Sequence, residues 1–311
     1  MKKALFIAYN FPPHGGAGVQ RSTKFVKYLP EFEWQPIVVT SPVDASLVLD
    51  PSLLDDVPPD TPIFRVPGFS IQKLQRQAKQ VGLGKVATAL NLLLQIPDAS
   101  RFWAKNVFKM IGDVIHTQKP EVVYTTSVPY SSHLAGLWIK QKFGLPWFAD
   151  FRDPWSKNLL TPYLPGYHRF NRYLERKVLA AADRVACVSK PWLDDLQQNL
   201  GREKGKFIIL PNGYDPADIE VTPIPVNRHP FTITHLGSLY RYRRPDKFIE
   251  ALQQLINSGR VVASDLRVLF IGKNIQKYVP SQPFFEVKDY VPHKELSQFR
   301  QQTHVNLLIL A

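Results

Sequence analysis

The chain has a single cysteine, Cys187, which excludes a disulfide framework and a cysteine metal cluster. It lies in the apolar run from Val185 to Val188, where a buried, inert thiol is expected rather than a nucleophile. No uninterrupted apolar run is long enough to span a bilayer. The start, Met1-Lys2-Lys3 leading into the short apolar run Ala4–Tyr9, is too short and wrongly flanked for a signal peptide. A cytoplasmic location is therefore expected. The histidines lack metal-ligand spacing, so no metal is expected. Repeats, low-complexity tracts and a recognisable nucleic-acid module are also missing.

Acidic residues are in short supply. There are 39 Lys and Arg against 26 Asp and Glu, a formal net charge of +13. Such an excess calls for an anionic partner or a reason to tolerate self-repulsion. The candidates are nucleic acid, an acidic membrane surface and phosphorylated substrates. The basic residues do not cluster as nucleic-acid binders cluster them, and no nucleic-acid partner is expected. They are spread along helix-like segments, as Lys24, Lys27, Lys73, Arg76, Lys79, Arg169, Arg172, Arg176 and Lys177. These are either ordinary solvated faces or a surface for acidic lipids.

With 311 residues, 44% of them hydrophobic, the chain can build two globular domains. Strand-like runs are Ala4–Tyr9, Pro36–Thr40, Ile63–Val66, Val122–Thr125, Trp147–Phe151, Arg184–Val188 and Phe207–Leu210. Helix-like segments between them include Phe102–Thr117, Ser132–Phe143 and His168–Ala181. The alternation predicts a parallel sheet with helices on both faces. Proline-rich stretches at 42–67, 153–166 and 215–230 read as loops. The pattern then restarts, with strands at Phe231–His235, Leu266–Ile271, Phe284–Val287 and Val305–Leu310. Helices are expected at Pro245–Ser258 and near Lys294–Gln302. The expected domains are 1–202 and 203–311.

Chemistry concentrates where strands end. Gly15, Gly16 and Gly18 follow the first strand and precede a helix expected to start near Val19. Glycine backbone at a helix N-terminus favours anions, phosphates above all. The spacing matches neither a Walker A loop nor the dinucleotide fingerprint, so an ordinary strand-to-helix turn stands as the alternative. Asp150, Arg152 and Asp153 fall at the C-terminal end of another strand, the edge where open α/β sheets bind ligands. They can hold sugar hydroxyls or form a structural ion pair. His133 opens a helix and is a catalytic candidate, or else a cap or packing group. Gly237 begins a second anion-binding loop that presents Arg241, Arg243 and Arg244 just before a helix. Cations there oppose the helix dipole unless an anion lies between.

The chain resembles glycosyltransferase family 4, of the GT-B fold. The resemblance rests on Tyr9-Asn-Phe-Pro-Pro-His-Gly-Gly-Ala-Gly18, on Ala181-Ala-Asp-Arg-Val-Ala-Cys-Val-Ser189 and on Pro211-Asn-Gly-Tyr-Asp215. A fourth marker is His235-Leu-Gly-Ser-Leu-Tyr240 leading to Arg244. It implies two Rossmann-like domains and a retaining, metal-free transfer of sugar from a nucleotide diphosphate sugar. The acceptor would be a glycan or lipid-linked sugar in cell-surface polysaccharide synthesis, met on the inner face of the plasma membrane. Gly15, Gly16, Gly18, Gly237, Arg241 and Arg244 would bind the donor phosphates. Arg244 corresponds to the family's phosphate-binding Lys or Arg, while Ser238 departs from the usual basic residue. The family's cleft histidine maps onto the segment from Asp150 to Asp153, which carries carboxylates and arginine instead. The family's paired-glutamate motif is expected after Leu310, so the second domain is expected to be incomplete. A sugar-nucleotide epimerase of the same fold, or an inactive remnant that binds nucleotide or membrane, are the alternatives.

Overall fold

Apolar strands and amphipathic helices assemble into two parallel sheets in this computed structural model, which describes residues 1–68, 96–158, 166–201, 205–219 and 229–310. The chain divides into two compact units, Met1–Gly213 and Tyr214–Ala311.

In the first unit the strands are β1 (Lys2–Ile7), β2 (Trp34–Thr40), β3 (Ile63–Arg65), β4 (Val122–Thr126), β5 (Trp147–Phe151), β6 (Arg184–Cys187) and β7 (Phe207–Ile209). They pair in the order β3-β2-β1-β4-β5-β6-β7, every pairing parallel. The helices are α1 (Ala17–Tyr28), α2 (Arg101–Gln118), α3 (Ser131–Phe143), α4 (Tyr167–Ala181) and α5 (Lys190–Leu200). Both faces of β1 are covered. Leu5 and Ile7 join Trp103, Val107 and Ile111 of α2 and Leu134 of α3. Ala4 and Phe6 face the other way, toward Val26 of α1 and Tyr124. This explains why β1 reads as an unbroken apolar run rather than an alternating one. Gly144 ends α3 in the left-handed region at φ 70°, its N–H returning to Lys140 O.

In the second unit β8 (Phe231–Leu236), β9 (Leu266–Ile271), β10 (Phe285–Lys288) and β11 (Val305–Asn306) form a parallel sheet in the order β10-β9-β8-β11. Helices α6 (Asp246–Asn257) and α7 (Leu296–Arg300) belong to this unit. Its core centres on Leu252, Val268, Phe270 and Ile275. Two lengths differ from expectation. The strand expected over 305–310 pairs only at Val305 and Asn306, although Leu307 N still donates to Thr234 O. The helix expected over 294–302 is a 3₁₀ turn, His293–Glu295, followed by the short α7.

Each sheet reverses its strand order beside its first strand, between β1 and β4 and between β8 and β11. Ligands of open α/β sheets bind at the C-terminal edge of such a switch point. A boundary after residue 202 would detach β7, which pairs with β6, so the first unit extends to Gly213. Among the described residues, no helix is long and apolar enough to cross a membrane.

Candidate functional site

At the end of β1 the chain is pinned from several sides. Tyr9 O accepts from Thr40 Oγ1 at 2.9 Å and Ser41 Oγ at 2.8 Å. Arg65 donates to Pro12 O at 2.6 Å and Ser41 O at 3.1 Å. The excursion expected across 42–67 is a clamp here, since Gly15 N donates to Val48 O and Asp50 N to Pro13 O. His14 is buried, and its Nε2 accepts from Asp44 N at 3.1 Å. Burial and the Arg65 charge lower its pKa, which keeps the ring neutral and able to accept.

Gly16, at φ 94°, is the N-cap of α1, and no acidic side chain occupies the first turn. Arg152 reaches this helix start, donating from Nη1 to Gly18 O at 2.5 Å. A Cβ on Gly18 would lie 3.5 Å from that guanidinium. Asp153 sits beside it, its Oδ2 accepting from Arg152 Nε at 3.4 Å, and stays partly exposed. Gly15, Gly16, Gly18, Arg152 and Asp153 are thus gathered at one sheet edge. Asn10 Nδ2 ties the same loop to Val128 O after β4, across the switch point.

Asp150 lies beneath this edge and is fully buried. Its carboxylate accepts from Arg21 Nε at 2.7 Å, Arg21 Nη2 at 3.0 Å and Tyr124 OH at 2.6 Å. Arg21 also donates to Leu210 O, Pro211 O and Asn212 Oδ1. Burial disfavours the Arg21 charge, but the bonds to Asp150 outweigh it and raise its pKa. The pair therefore joins α1, β5 and the Pro211-Asn212 turn. Sequence reasoning misses Arg21; its only signal is a cation three residues past Gly18, on the sheet-facing side of an amphipathic helix.

His133 is not at the surface of this edge. It is fully buried and stacked on Phe151 at a centroid distance of 4.4 Å. Trp147 Nε1 donates to Thr125 Oγ1, which also shares a hydrogen bond with His133 Nδ1 at 2.8 Å. Its Nε2 has no partner, and burial drives its pKa down to about 3. A ring so held is neutral packing, not an acid–base group open to substrate. Cys187 is buried as expected, with its pKa raised by burial.

In the second unit the loops after β8 and β9 lock together. Gly237 N donates to Ile271 O at 2.9 Å, and Leu239 N donates to Lys273 O at 3.3 Å. Gly272, at φ 149°, brings its backbone so close that a Cβ would meet Gly237 O at 2.3 Å. Only glycine fits there. Of the three arginines, Arg244 pairs with Asp246 at 2.7 Å in the first turn of α6. Arg241 lies exposed over the Tyr242 ring. Arg243 differs, because its Nε is buried without a partner. His235, buried and neutral, has an unpartnered Nε2 that lies 3.5 Å from a Cβ built on Gly237. The Arg243 Nε–H is thus a buried donor without an acceptor, a costly state that an anionic ligand would relieve.

A family model described as a glycosyl transferase 4-like domain matches residues 15–213. Among solved structures, sucrose-phosphate synthase from Thermosynechococcus elongatus superposes with a TM-score of 0.63 at 12% identity, covering 98% of this chain and 75% of that one. HepE of Anabaena, solved in complex with UDP-glucose, gives 0.61 at 13% identity over 98% and 73% of the two chains. A UDP-N-acetylglucosamine 2-epimerase gives 0.53 at 10% identity over 98% and 73%. At these identities the likeness is one of fold, and that fold is GT-B. A comparison with curated proteins finds no match.

Proposed function

The chain belongs to the glycosyl transferase 4-like family, and from that membership we propose that it is a retaining transferase of nucleotide diphosphate sugars. The acceptor in this reading is a glycan or lipid-linked sugar, elongated in the cytoplasm at the inner face of the plasma membrane for cell-surface polysaccharide. One observation carries the donor assignment. Each sheet follows its first strand with glycine backbone and an arginine in reach of it or of the same loop: Gly15–Gly18, where Arg152 donates to Gly18 O, and Gly237, whose loop carries Arg243 with its Nε buried and unpartnered.

The leaving group of such a transfer is a diphosphate, whose charge grows as the glycosidic bond breaks. Preoriented N–H groups and guanidinium ions stabilise that charge without reorganising. Arg243 is the principal phosphate ligand in this proposal, because its buried Nε lacks a partner while Arg244 is engaged by Asp246. Arg241 and Arg244 supply further positive charge. Gly15, Gly16 and Gly18 offer backbone to the donor phosphates, and Arg152 neutralises charge beside them. Asp153 is the carboxylate left to contact sugar hydroxyls. Asp150 and His133 act as positioning residues from below.

Calorimetric titration with UDP and GDP tests the assignment. Arg243→Ala is expected to weaken binding by about 1.5–3 kcal/mol, the range for a hydrogen bond to a charged group. Arg243→Lys recovers only part of this where the contact is bidentate. Arg260, past the end of α6, is the neutral control. Unchanged affinity in Arg243→Ala, with the parent binding well, removes the role from this residue. The fold likeness to an epimerase favours a second reading. Incubation with UDP-sugar alone separates the two, since an epimerase releases an altered UDP-sugar and a transferase needs an acceptor.

A further inference from the structure

Helix α4 carries an outward face unlike any expected from charge alone. Its exposed positions include Arg169, Phe170, Tyr173, Arg176 and Lys177, with Arg172 at the margin where its Nε reaches Asn199, and no exposed position is acidic. The helix's one carboxylate, Glu175, turns inward to Ser156 and Asn199. At about 100° per residue the five outward side chains fan over roughly 120° of the helix surface. Phe170 and Tyr173 are 48% and 51% exposed, and their rings contact each other at 6.2 Å. Lys177 lies over the Tyr173 ring at 4.7 Å. The neighbouring acids of α5 do not offset this charge, because Asp194 pairs with Lys190 and Asp195 with Lys157.

We propose that this face of α4 docks the chain on an anionic lipid bilayer, with Phe170 and Tyr173 entering the headgroup layer. Two adjacent exposed aromatics are poorly suited to water but well suited to the membrane interface, where amphipathic rings settle. The cations beside them then meet lipid phosphates, and their long stems let the charge stay at headgroup level. The inner face of the helix is tied down. Asn171 accepts from Trp155 Nε1 at 2.8 Å, and Asn199 Nδ2 donates to Arg172 O at 3.1 Å. The helix therefore offers a fixed platform rather than one that must order on contact. The two lysines of α1 do not compete for the role. Lys24 and Lys27 both pair with Asp56, at 2.6 and 2.9 Å.

The proposal rests on the membrane-side acceptor reading above, but its test does not depend on transfer activity. The parent is expected to cosediment with vesicles of phosphatidylglycerol in phosphatidylcholine and not with phosphatidylcholine alone. Arg169→Gln combined with Arg176→Gln is expected to weaken that partition about 25-fold, at roughly fivefold per surface cation. Phe170→Ser with Tyr173→Ser is expected to weaken it about tenfold, and to do so in high salt as well, where the ionic part is screened. Removing equal charge from α2, by Lys105→Gln with Lys109→Gln, is expected to change it less than twofold, about the size of nonspecific attraction. Equal losses from the α2 and α4 charge variants would overturn the proposal, as would parent binding that ignores lipid charge. Far-UV circular dichroism of the α4 variants reports folding, and UDP titration of the parent separates the two readings. Vesicle binding without nucleotide binding would sink the transferase assignment and leave this face standing.

Discussion

The carboxylate of Asp150 illustrates how one residue can sit in the expected place and do different work. At the end of β5 it is positioned as a catalyst would be, yet Arg21 and Tyr124 occupy both its oxygens. Removing one partner of a buried, hydrogen-bonded ion pair leaves the other charge stranded, at a cost of about 3–5 kcal/mol. Urea denaturation should show Arg21→Ala and Asp150→Ala each destabilised by that amount. Arg152→Ala should lose less than about 1 kcal/mol of stability, as partly exposed ion pairs do, while weakening nucleotide binding. If Asp150→Ala were as stable as the parent, the pair would not be what holds α1 to β5.

At the scale of elements, α3 packs on the sheet through a histidine that stays neutral. His133 has its pKa at about 3 against an ordinary 6.5, because burial penalises the imidazolium. Below pH 6.5 the unfolded chain therefore binds a proton that the folded chain refuses. The stability this neutral ring provides is complete above that pH and is lost as pH falls toward 3, by about 1.4 kcal/mol per unit. His14 and His235, both lowered by burial, act in the same direction. Asp98 and Glu175, raised by burial, act oppositely near the carboxylate range. The difference between parent and His133→Phe isolates the one group. Between pH 6 and pH 5 the variant should lose less stability than the parent, by about 1.2 kcal/mol. Parallel curves would mean that His133 titrates normally in the folded state.

For the whole molecule, the division after Gly213 has a measurable consequence. Residues 1–213 contain the complete first sheet and the Leu210–Asn212 turn that Arg21 holds. This fragment should fold alone with a cooperative thermal transition, as a domain with its own core does. Ending at residue 202 removes β7 and strips Arg21 of three acceptors, so that fragment should melt well below the longer one. Circular dichroism melts of the two decide it, and coincident transitions would place the boundary earlier. The basic residues divide at this scale too. Lys24 and Lys27 neutralise Asp56, Arg169, Arg176 and Lys177 face outward, and Lys73, Arg76 and Lys79 lie outside the described residues.

Local pattern alone determined the alternation of strands and helices, and with it the α/β class and the parallel pairing. Burial on both faces imposes continuous apolar runs such as Ala4–Ile7, and these are visible without any partner. The two glycine loops were legible for the same reason, since each follows such a run and precedes a helix. The partners of the charged groups were not legible. Arg21 and Asp150 are 129 residues apart, and no spacing rule links them. Whether His133 caps a helix or fills a core depends on Phe151 and Thr125, supplied by two different strands. Nor does residue order show that the folded loop buries the Nε of Arg243 without a partner while Asp246 engages Arg244. Sequence sets which groups are available; desolvation and distance, which exist only once the chain has folded, decide which of them remain unpaired and free to bind.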